Sequence, residues 1–377
     1  MTLAALRPET AGELADAVRS APRIVARGGG TKSALSRPWD AGVRALELGA
    51  LRGITDYDPG EYTFTARAGT PLAEIDAALA AHGQHLPFDP PFAARGATLG
   101  GTIAAGLSGP SRLRHGGVRD FLLAVRFVDG EGRVLAGGAR VVKNAAGFDF
   151  PKLFAGSLGE LGVITEATLK VFPRAATTRT LGVECGGLDL ALALLGRLAA
   201  SSLELLALDL VPPARLELRV GAAEVAIDGR IERVRAFVEA AHAASAARVE
   251  CTVMDNDSAH WVAARDASWA PADATLVKVP LDPTRVGAFE RALAGVAAPR
   301  RYGAAAAVAW IAWPATEPIA KLERALAVVA APALVVRAPA PVARPLLGVA
   351  PNAFLERIRS ALDPLGRFRR GDSPEPC

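Results

Sequence analysis

Residues 96–121, GATLGGTIAAGLSGPSRLRHGGVRDF, and residues 141–173, VVKNAAGFDFPKLFAGSLGELGVITEATLKVFP, carry most of the chain's unusual local chemistry. They hold three glycine-rich loops, at Gly96–Thr102, Gly106–Gly109 and Gly156–Gly162, and a fourth, Arg27–Thr31, precedes them. No comparable loop occurs later. Consecutive glycines let backbone N–H groups converge on an anion without obstruction by Cβ, as a diphosphate requires. The small run Gly100–Ala105 reads as a helix start, whose N–H groups favour a phosphate. None of the loops ends in the lysine and hydroxyl of a P-loop, and none is a G-x-G-x-x-G between strand and helix. Each alone reads as a tight turn; four together in one half of a chain point to a large diphosphate cofactor.

Regular elements frame these loops. Thr10 and Glu13 have capping-box spacing before Leu14, Ala17 and Val18, and Pro22 stops that helix. Ile24–Ala26 reads as a strand entering the first loop, and Tyr62–Ala66 as an alternating strand. Thr70 is placed to cap, and Pro71 to begin, a helix reaching about His82. Leu122–Val128 and Arg133–Ala136 form a hairpin pattern around Asp129–Gly130, and Val163–Phe172 is a further strand. Beyond about Arg174 the loops vanish. Apolar stripes at helical spacing mark Leu188–Ala200, Ile231–Ala244, Thr284–Val296 and Thr316–Val329. Strand patterns lie at Leu206–Val211, Leu216–Val220, Leu276–Val279 and Ala306–Trp313, and a last helix spans Asn352–Leu362. The fold class is therefore α+β, with a bipartite cofactor domain over 1–174, a smaller α+β cap over 175–345, and a C-terminal helix and tail over 346–377 that pack back on the first domain.

Composition narrows the function classes. At 377 residues with half of them hydrophobic, the chain expects more than one buried core. Cys185, Cys251 and Cys377 are scattered and odd in number, which suits a reducing cytoplasm and offers neither a disulfide framework nor iron–sulfur cluster spacing. The opening residues lack a signal peptide's apolar run, and no uncharged apolar stretch reaches membrane-spanning length. A net charge of +4 spread over scattered arginines gives no basic stripe for nucleic acid.

The wording and order of 27–35 (RGGGTKSAL), 96–121 and 141–173 resemble the FAD-linked oxidases with a vanillyl-alcohol oxidase or p-cresol methylhydroxylase type of flavin domain. Within them the pattern is most similar to the smaller FAD-binding subunits of bacterial glycolate oxidases. This resemblance implies FAD as cofactor, held by Arg27, Gly28, Gly29, Gly30, Thr31 and Lys32 around the pyrophosphate. Gly96, Thr98, Gly100, Gly101, Thr102 and Ala104 would line the other side, Ser108 would approach the isoalloxazine, and Gly162, Val163 and Ile164 would hold the adenosine end. Lys143, Asn144 and Asp149 match a stretch beneath the flavin, although a strand-end charge and a helix cap explain them equally well. Some relatives tether their flavin through histidine or cysteine, but here Thr31 follows the triple glycine, no cysteine precedes Cys185, and His115 stands where the pattern usually has an aromatic residue, so the FAD is expected to be noncovalent. A Cβ at Gly29 or Gly101 is expected to bar FAD while leaving the protein folded.

By the same resemblance the chain serves a complex that oxidises glycolate, a small 2-hydroxy acid, to glyoxylate by hydride transfer to flavin. Its partners would be a larger FAD-binding subunit and an iron–sulfur subunit, and its location cytoplasmic, peripheral to the inner membrane through the complex. The paired cap histidines of catalytic relatives are missing, since only His242 and His260 follow residue 115. His260 and Arg265, in SAHWVAAR, are the remaining candidates for a base and a carboxylate-binding cation, but five residues apart they do not share a helix face. No metal-ligand spacing occurs. Two other readings remain: a standalone flavin oxidoreductase for another hydroxy acid, and a structural subunit that kept the fold without FAD.

Overall fold

The computed structural model describes residues 4–37, 42–139, 149–242, 249–342, 344–350 and 352–370. It is α+β. The chain divides into two compact units, Met1–Ser108 with Gly117–Pro173 and Val336–Cys377, and Gly109–Gly116 with Arg174–Val335. The chain thus returns to the first unit at Val336, earlier than the 346 expected from sequence, and the short excursion Gly109–Gly116 belongs to the second unit.

The first unit holds a two-stranded parallel pair, a five-stranded antiparallel sheet and a short antiparallel pair, Gln84–His85 with Phe172–Pro173. Helix Ala11–Ser20 starts as its sequence dictates, with Thr10 Oγ1 accepting the Glu13 N–H at 3.1 Å. Its buried Leu14 and Val18 pack with Ile24 and Leu46 from a parallel pair, Ile24–Arg27 beside Arg44–Glu47. Phe368 closes the same core, and its backbone bridges to Ile24. A five-stranded antiparallel sheet follows, in the order Ile54–Asp58, Thr63–Arg67, Val163–Lys170, Leu122–Val128, Val134–Gly138. In its hairpin Asp129 is fully buried, and its Oδ1 accepts the N–H groups of Glu131 and Arg133. The helix after Thr63–Arg67 runs Leu72–Ala80, and its N-cap is Pro71, not Thr70. The Thr70 hydroxyl is engaged elsewhere, donating to Arg67 O at 2.7 Å and accepting the Gly53 N–H at 2.9 Å, so it ties two loops together.

The second unit contains a large sheet with the order Glu250–Met254, Thr177–Glu184, Arg215–Ala222, Ala207–Val211, Arg300–Gly303, Val308–Trp313, Thr275–Pro280, Ala333–Arg337. Helices Leu188–Ala199 and Ile227–His242 pack on it. Four of its strands, Thr177–Glu184, Glu250–Met254, Arg300–Gly303 and Ala333–Arg337, were not legible in sequence. Arg300–Gly303 shows why: RRYG has no apolar alternation, yet Arg301 is buried because acids from other strands neutralise it. The expected helix Thr284–Val296 is shorter, a single 3-10 turn at Pro283–Arg285 followed by Val286–Ala292. Among the described residues no helix is long and apolar enough to cross a membrane.

Candidate functional site

In the first unit three glycine-bearing segments converge on one cleft open to solvent. Gly28, Gly29, Gly30, Thr31 and Lys32 line it from the loop after the first strand, and Thr98, Gly100, Gly101 and Ala104 from the helix Leu99–Ala105 and its N-cap. Gly162, Val163 and Ile164 complete it from the start of the central strand. Segments more than 130 positions apart are thus brought together. The cleft is also lined by Ala26, Leu35, Ser36, Leu48, Ala105, Leu158 and Gly159, which were not singled out from sequence. For Gly159 a signal existed, because it lies inside the GSLGELG loop.

Other expected residues do not line the cleft. Arg27 is exposed and stands beside Gly30, where an added Cβ would come within 3.2 Å of its Nε. Gly96 supports the cleft indirectly: its carbonyl oxygen would lie 1.7 Å from a Cβ at Gly29. Thr102 is wholly buried within its helix. The Ser108 hydroxyl accepts the Val118 N–H at 3.0 Å, which fastens the following segment. Lys143 and Asn144 lie outside the described residues, as does the side chain of His242.

The helix start is not the open anion nest that its sequence suggests. The Leu99 N–H is bonded to Thr70 O at 3.0 Å and the Gly100 N–H to Ala68 O at 2.8 Å. Gly100 is demanded by this contact, since a Cβ there would lie 2.6 Å from that of Ala68. Gly101 differs, because a Cβ there meets only Thr98 Oγ1, at 3.1 Å. The glycines therefore fall into two groups. Gly29 and Gly100 let backbone meet backbone, while Gly101 leaves space in the cleft.

Two polar groups in the cleft lack full satisfaction inside the protein. Thr98 Oγ1 is buried with no hydrogen-bond partner. Lys32 is only 6% exposed, donates to Thr31 Oγ1 at 3.2 Å, and stands 5.9 Å from the Phe92 ring centre. Burial lowers its pKa to about 8. No carboxylate lines the cleft among the described residues. A buried ammonium, an orphaned hydroxyl and glycine backbone match an anionic ligand such as a dinucleotide diphosphate.

The expected catalytic pair lies in the second unit, on the helix Ser258–Arg265. Its members are held apart. His260 Nε2 bonds Glu217 Oε2 at 2.8 Å, and Glu217 also pairs with Arg301, whose Nε reaches Asp209 at 2.6 Å. Burial raises the Glu217 pKa, but the His260 hydrogen bond and the Arg301 charge outweigh it and hold the carboxyl down at about 2. For Asp209, wholly enclosed, burial wins over Arg301 and the pKa is raised. Arg265 instead pairs with its neighbour Asp266 at 2.9 Å. Trp261 is covered by the guanidinium groups of Arg219 and Arg301, at 5.7 and 5.1 Å from its ring, and not by Arg265.

Comparison with known proteins places these observations. Residues 2–138 match the family model described as FAD binding domain. The chain is 46% identical over 158 residues to glycolate oxidase subunit GlcE of Escherichia coli (strain K12), covering 42% of this chain and 45% of that one. It is 37% identical over 131 residues to D-2-hydroxyglutarate dehydrogenase of Xanthomonas citri pv. viticola, covering 34% and 27%. Glycolate oxidase subunit GlcD of Bacillus subtilis (strain 168) is 31% identical over 158 residues, covering 42% and 33%. The chain therefore aligns with less than half the length of each of these relatives. A solved alkyldihydroxyacetonephosphate synthase shares the fold, with a TM-score of 0.67 over 96% of this chain and 74% of that chain at 14% identity.

Proposed function

We propose that this chain, which carries an FAD-binding domain, is the FAD-binding subunit of a complex that oxidises glycolate or a similar 2-hydroxy acid. The single observation that carries the reading is the cleft, where three sequence-distant glycine loops, Lys32 and the Thr98 hydroxyl meet without a carboxylate. When bound there, FAD supplies the two-electron acceptor for oxidation of a CH–OH group. Gly101 leaves room for it, Lys32 offsets diphosphate charge, and Thr98 Oγ1 donates or accepts the hydrogen bond it lacks in the protein. A larger flavin subunit and an iron–sulfur subunit are the partners that this reading assigns, because similarity runs to named glycolate oxidase subunits and this chain has no cluster-type cysteine spacing. Placement at the inner membrane would come through that complex.

The purified chain is expected to carry FAD and release it on denaturation, leaving a yellow supernatant over colourless protein. Flavin that stays with the precipitate would show a covalent bond, and a colourless protein indifferent to added FAD would end the reading.

Lys32 makes flavin affinity depend on pH. Its ammonium is half charged at about pH 8 and fully charged only well below it, and a bound anion raises that pKa. Affinity should be level at lower pH and weaken as pH rises through about 8, by up to about tenfold per unit. Dissociation constants from flavin fluorescence across neutral and mildly alkaline pH measure this, and Lys32→Met should flatten the profile. A wild-type profile that is flat throughout would remove Lys32 from the diphosphate.

Turnover by the chain alone should be poor. Arg265 is committed to Asp266 and His260 to Glu217, so neither is arranged as a carboxylate clamp with an adjacent base. Anaerobic bleaching by glycolate and D-lactate should therefore be slow in the isolated chain and fast in the complex. Rapid bleaching of the isolated chain, lost in His260→Ala or Arg265→Ala, would place the chemistry here.

A further inference from the structure

The last helix, Ala353–Leu362, buries a charge and exposes an aromatic ring. Phe354, Ile358 and Leu362 recur every four residues and share one side of it, as an apolar face seeking a core would. Arg359 is instead the helix's one buried residue, and it pairs with Glu160. Phe354 is 61% exposed, while Ile358 and Leu362 stay half-buried. Leu365, just past the helix, is as exposed as Phe354, and Val349 ahead of the helix is exposed as well. A short stretch of chain thus leaves a large aromatic and two aliphatic side chains in water.

Where water reaches this stretch, its charges are of one sign. Among the described residues between 344 and 370, the exposed ionisable ones are Arg344, Arg357 and Arg370, whereas Glu356 is half-buried and Asp363 buried. Glu356 is taken by Arg359 and, at 3.1 Å, by Arg370. Arg357 makes no ion pair among the described residues, and its guanidinium carbon lies 5.8 Å from the Phe354 ring centre. An exposed phenylalanine and arginine among aliphatic side chains, without exposed acids or lysines, has the composition of a protein interface centre. The charge selects the occupant. A second copy would present the same face, a free cation with no exposed acid, which is not self-complementary. Anionic lipid is met by clusters of about four to eight cations, but here Arg344 and Arg370 are engaged and Arg357 alone is free. An apolar surface carrying a carboxylate suits both the ring and the guanidinium.

We propose that the face made by Phe354, Arg357, Ile358 and Leu365 docks another subunit of the oxidase complex, through an apolar groove whose edge carries a carboxylate for Arg357. The inference rests on the reading of this chain as one subunit of such a complex, and adds to it the surface and the chemistry of the partner. Phe354 is the anchor that fills the groove. Arg357, already beside the ring, meets the carboxylate with little further loss of side-chain freedom. On its inner side the same helix holds, through Arg359, the Glu160 loop whose neighbours line the flavin cleft.

The test titrates the purified, flavin-loaded full chain onto the immobilised larger flavin subunit and iron–sulfur subunit from the same cell. Phe354→Ser should weaken binding at least about thirtyfold and Leu365→Ser about tenfold, as loss of interface anchors does. Arg357→Glu should weaken it about tenfold by setting acid against acid. Each variant by itself should keep the wild-type urea midpoint and flavin content, because the atoms changed are exposed. Wild-type affinity in both Phe354→Ser and Leu365→Ser would overturn the assignment. A urea midpoint lowered in both would also overturn it, by giving the two side chains to the fold. Self-association of the chain that Phe354→Ser abolishes would hand the face to a second copy, and sedimentation with phosphatidylglycerol vesicles that Phe354→Ser abolishes would hand it to lipid; either result refutes the subunit as occupant. If the wild-type chain binds neither subunit, the reading of a complex itself falls, and this inference with it.

Discussion

Gly29→Ala is expected to damage the fold itself, whereas Gly101→Val should leave a folded protein that binds its flavin weakly. The sequence treats the two positions alike, since one lies in a glycine triplet and the other in a glycine pair, both expected to approach a diphosphate. In the structure a Cβ at Gly29 would lie 1.7 Å from the Gly96 carbonyl oxygen and 2.7 Å from its carbon. Backbone meets backbone there, and no side chain can rotate away. The penalty should reach about 3 kcal/mol or more, the upper range for overpacking. At Gly101 the nearest atom is the Thr98 hydroxyl at 3.1 Å, so the valine branches enter the cleft instead of the core. Helix propensity at that position improves or holds when glycine is replaced. FAD affinity should drop about 10–100-fold, the equivalent of 1–3 kcal/mol of overpacking transferred to the complex. Urea unfolding of the flavin-free proteins together with flavin titration separates the two effects. A Gly29→Ala protein of wild-type stability, or a Gly101→Val protein with wild-type flavin affinity, would contradict the division of the glycines.

Arg359→Met should be among the most destabilising substitutions outside the cleft. Arg359, on the C-terminal helix Ala353–Leu362, is 2% exposed, and its Nε donates to Glu160 Oε2 at 2.9 Å while Nη2 reaches the same oxygen. Glu160 is itself buried, within the loop whose neighbours Leu158, Gly159 and Gly162 line the cleft. Removing one partner of such a pair leaves a buried carboxylate uncompensated and costs about 3–5 kcal/mol. Flavin content should fall as well, because the loop loses its anchor. A double variant, Glu160→Met with Arg359→Met, should recover most of the stability, since apolar replacement of both charges is close to neutral. Urea midpoints of the three variants decide this. If the single variant unfolds with the wild type, the pair is not a clamp.

That clamp shows where sequence reading stops. Arg367, Phe368 and Arg369 belong to the C-terminal tail that the sequence expects to pack back on the first domain. In three dimensions Phe368 is buried in the core of the first unit, and Arg369 Nη1 donates to Ala34 O at 2.9 Å, beside the cleft residues Leu35 and Ser36. The expectation that the tail packs back on the first domain names no partner; which loop it supports, more than 300 positions away, is decided only by the folded chain.

Some features were local enough to be determined by the sequence alone. Thr10 before Leu14 and Val18 and Asn352 before the last helix each encode backbone angles or a periodic face within a few residues, whereas the alternation expected at Tyr62–Ala66 gives a strand buried on both faces. The glycine loops likewise identify a diphosphate-binding half, because only glycine allows such close backbone approach. The tertiary structure decided which atoms those loops approach. Gly29 turned out to serve Gly96, and Gly100 to serve Ala68, while Gly101 and Lys32 were left facing the cleft. It also decided the fate of buried charges. Arg301 reads as a surface residue until Asp209 and Glu217 arrive from other strands, and His260 reads as a base until Glu217 fixes it. Propensity and periodicity act over one turn or one strand, whereas burying a charge requires a partner that only the folded chain brings within reach.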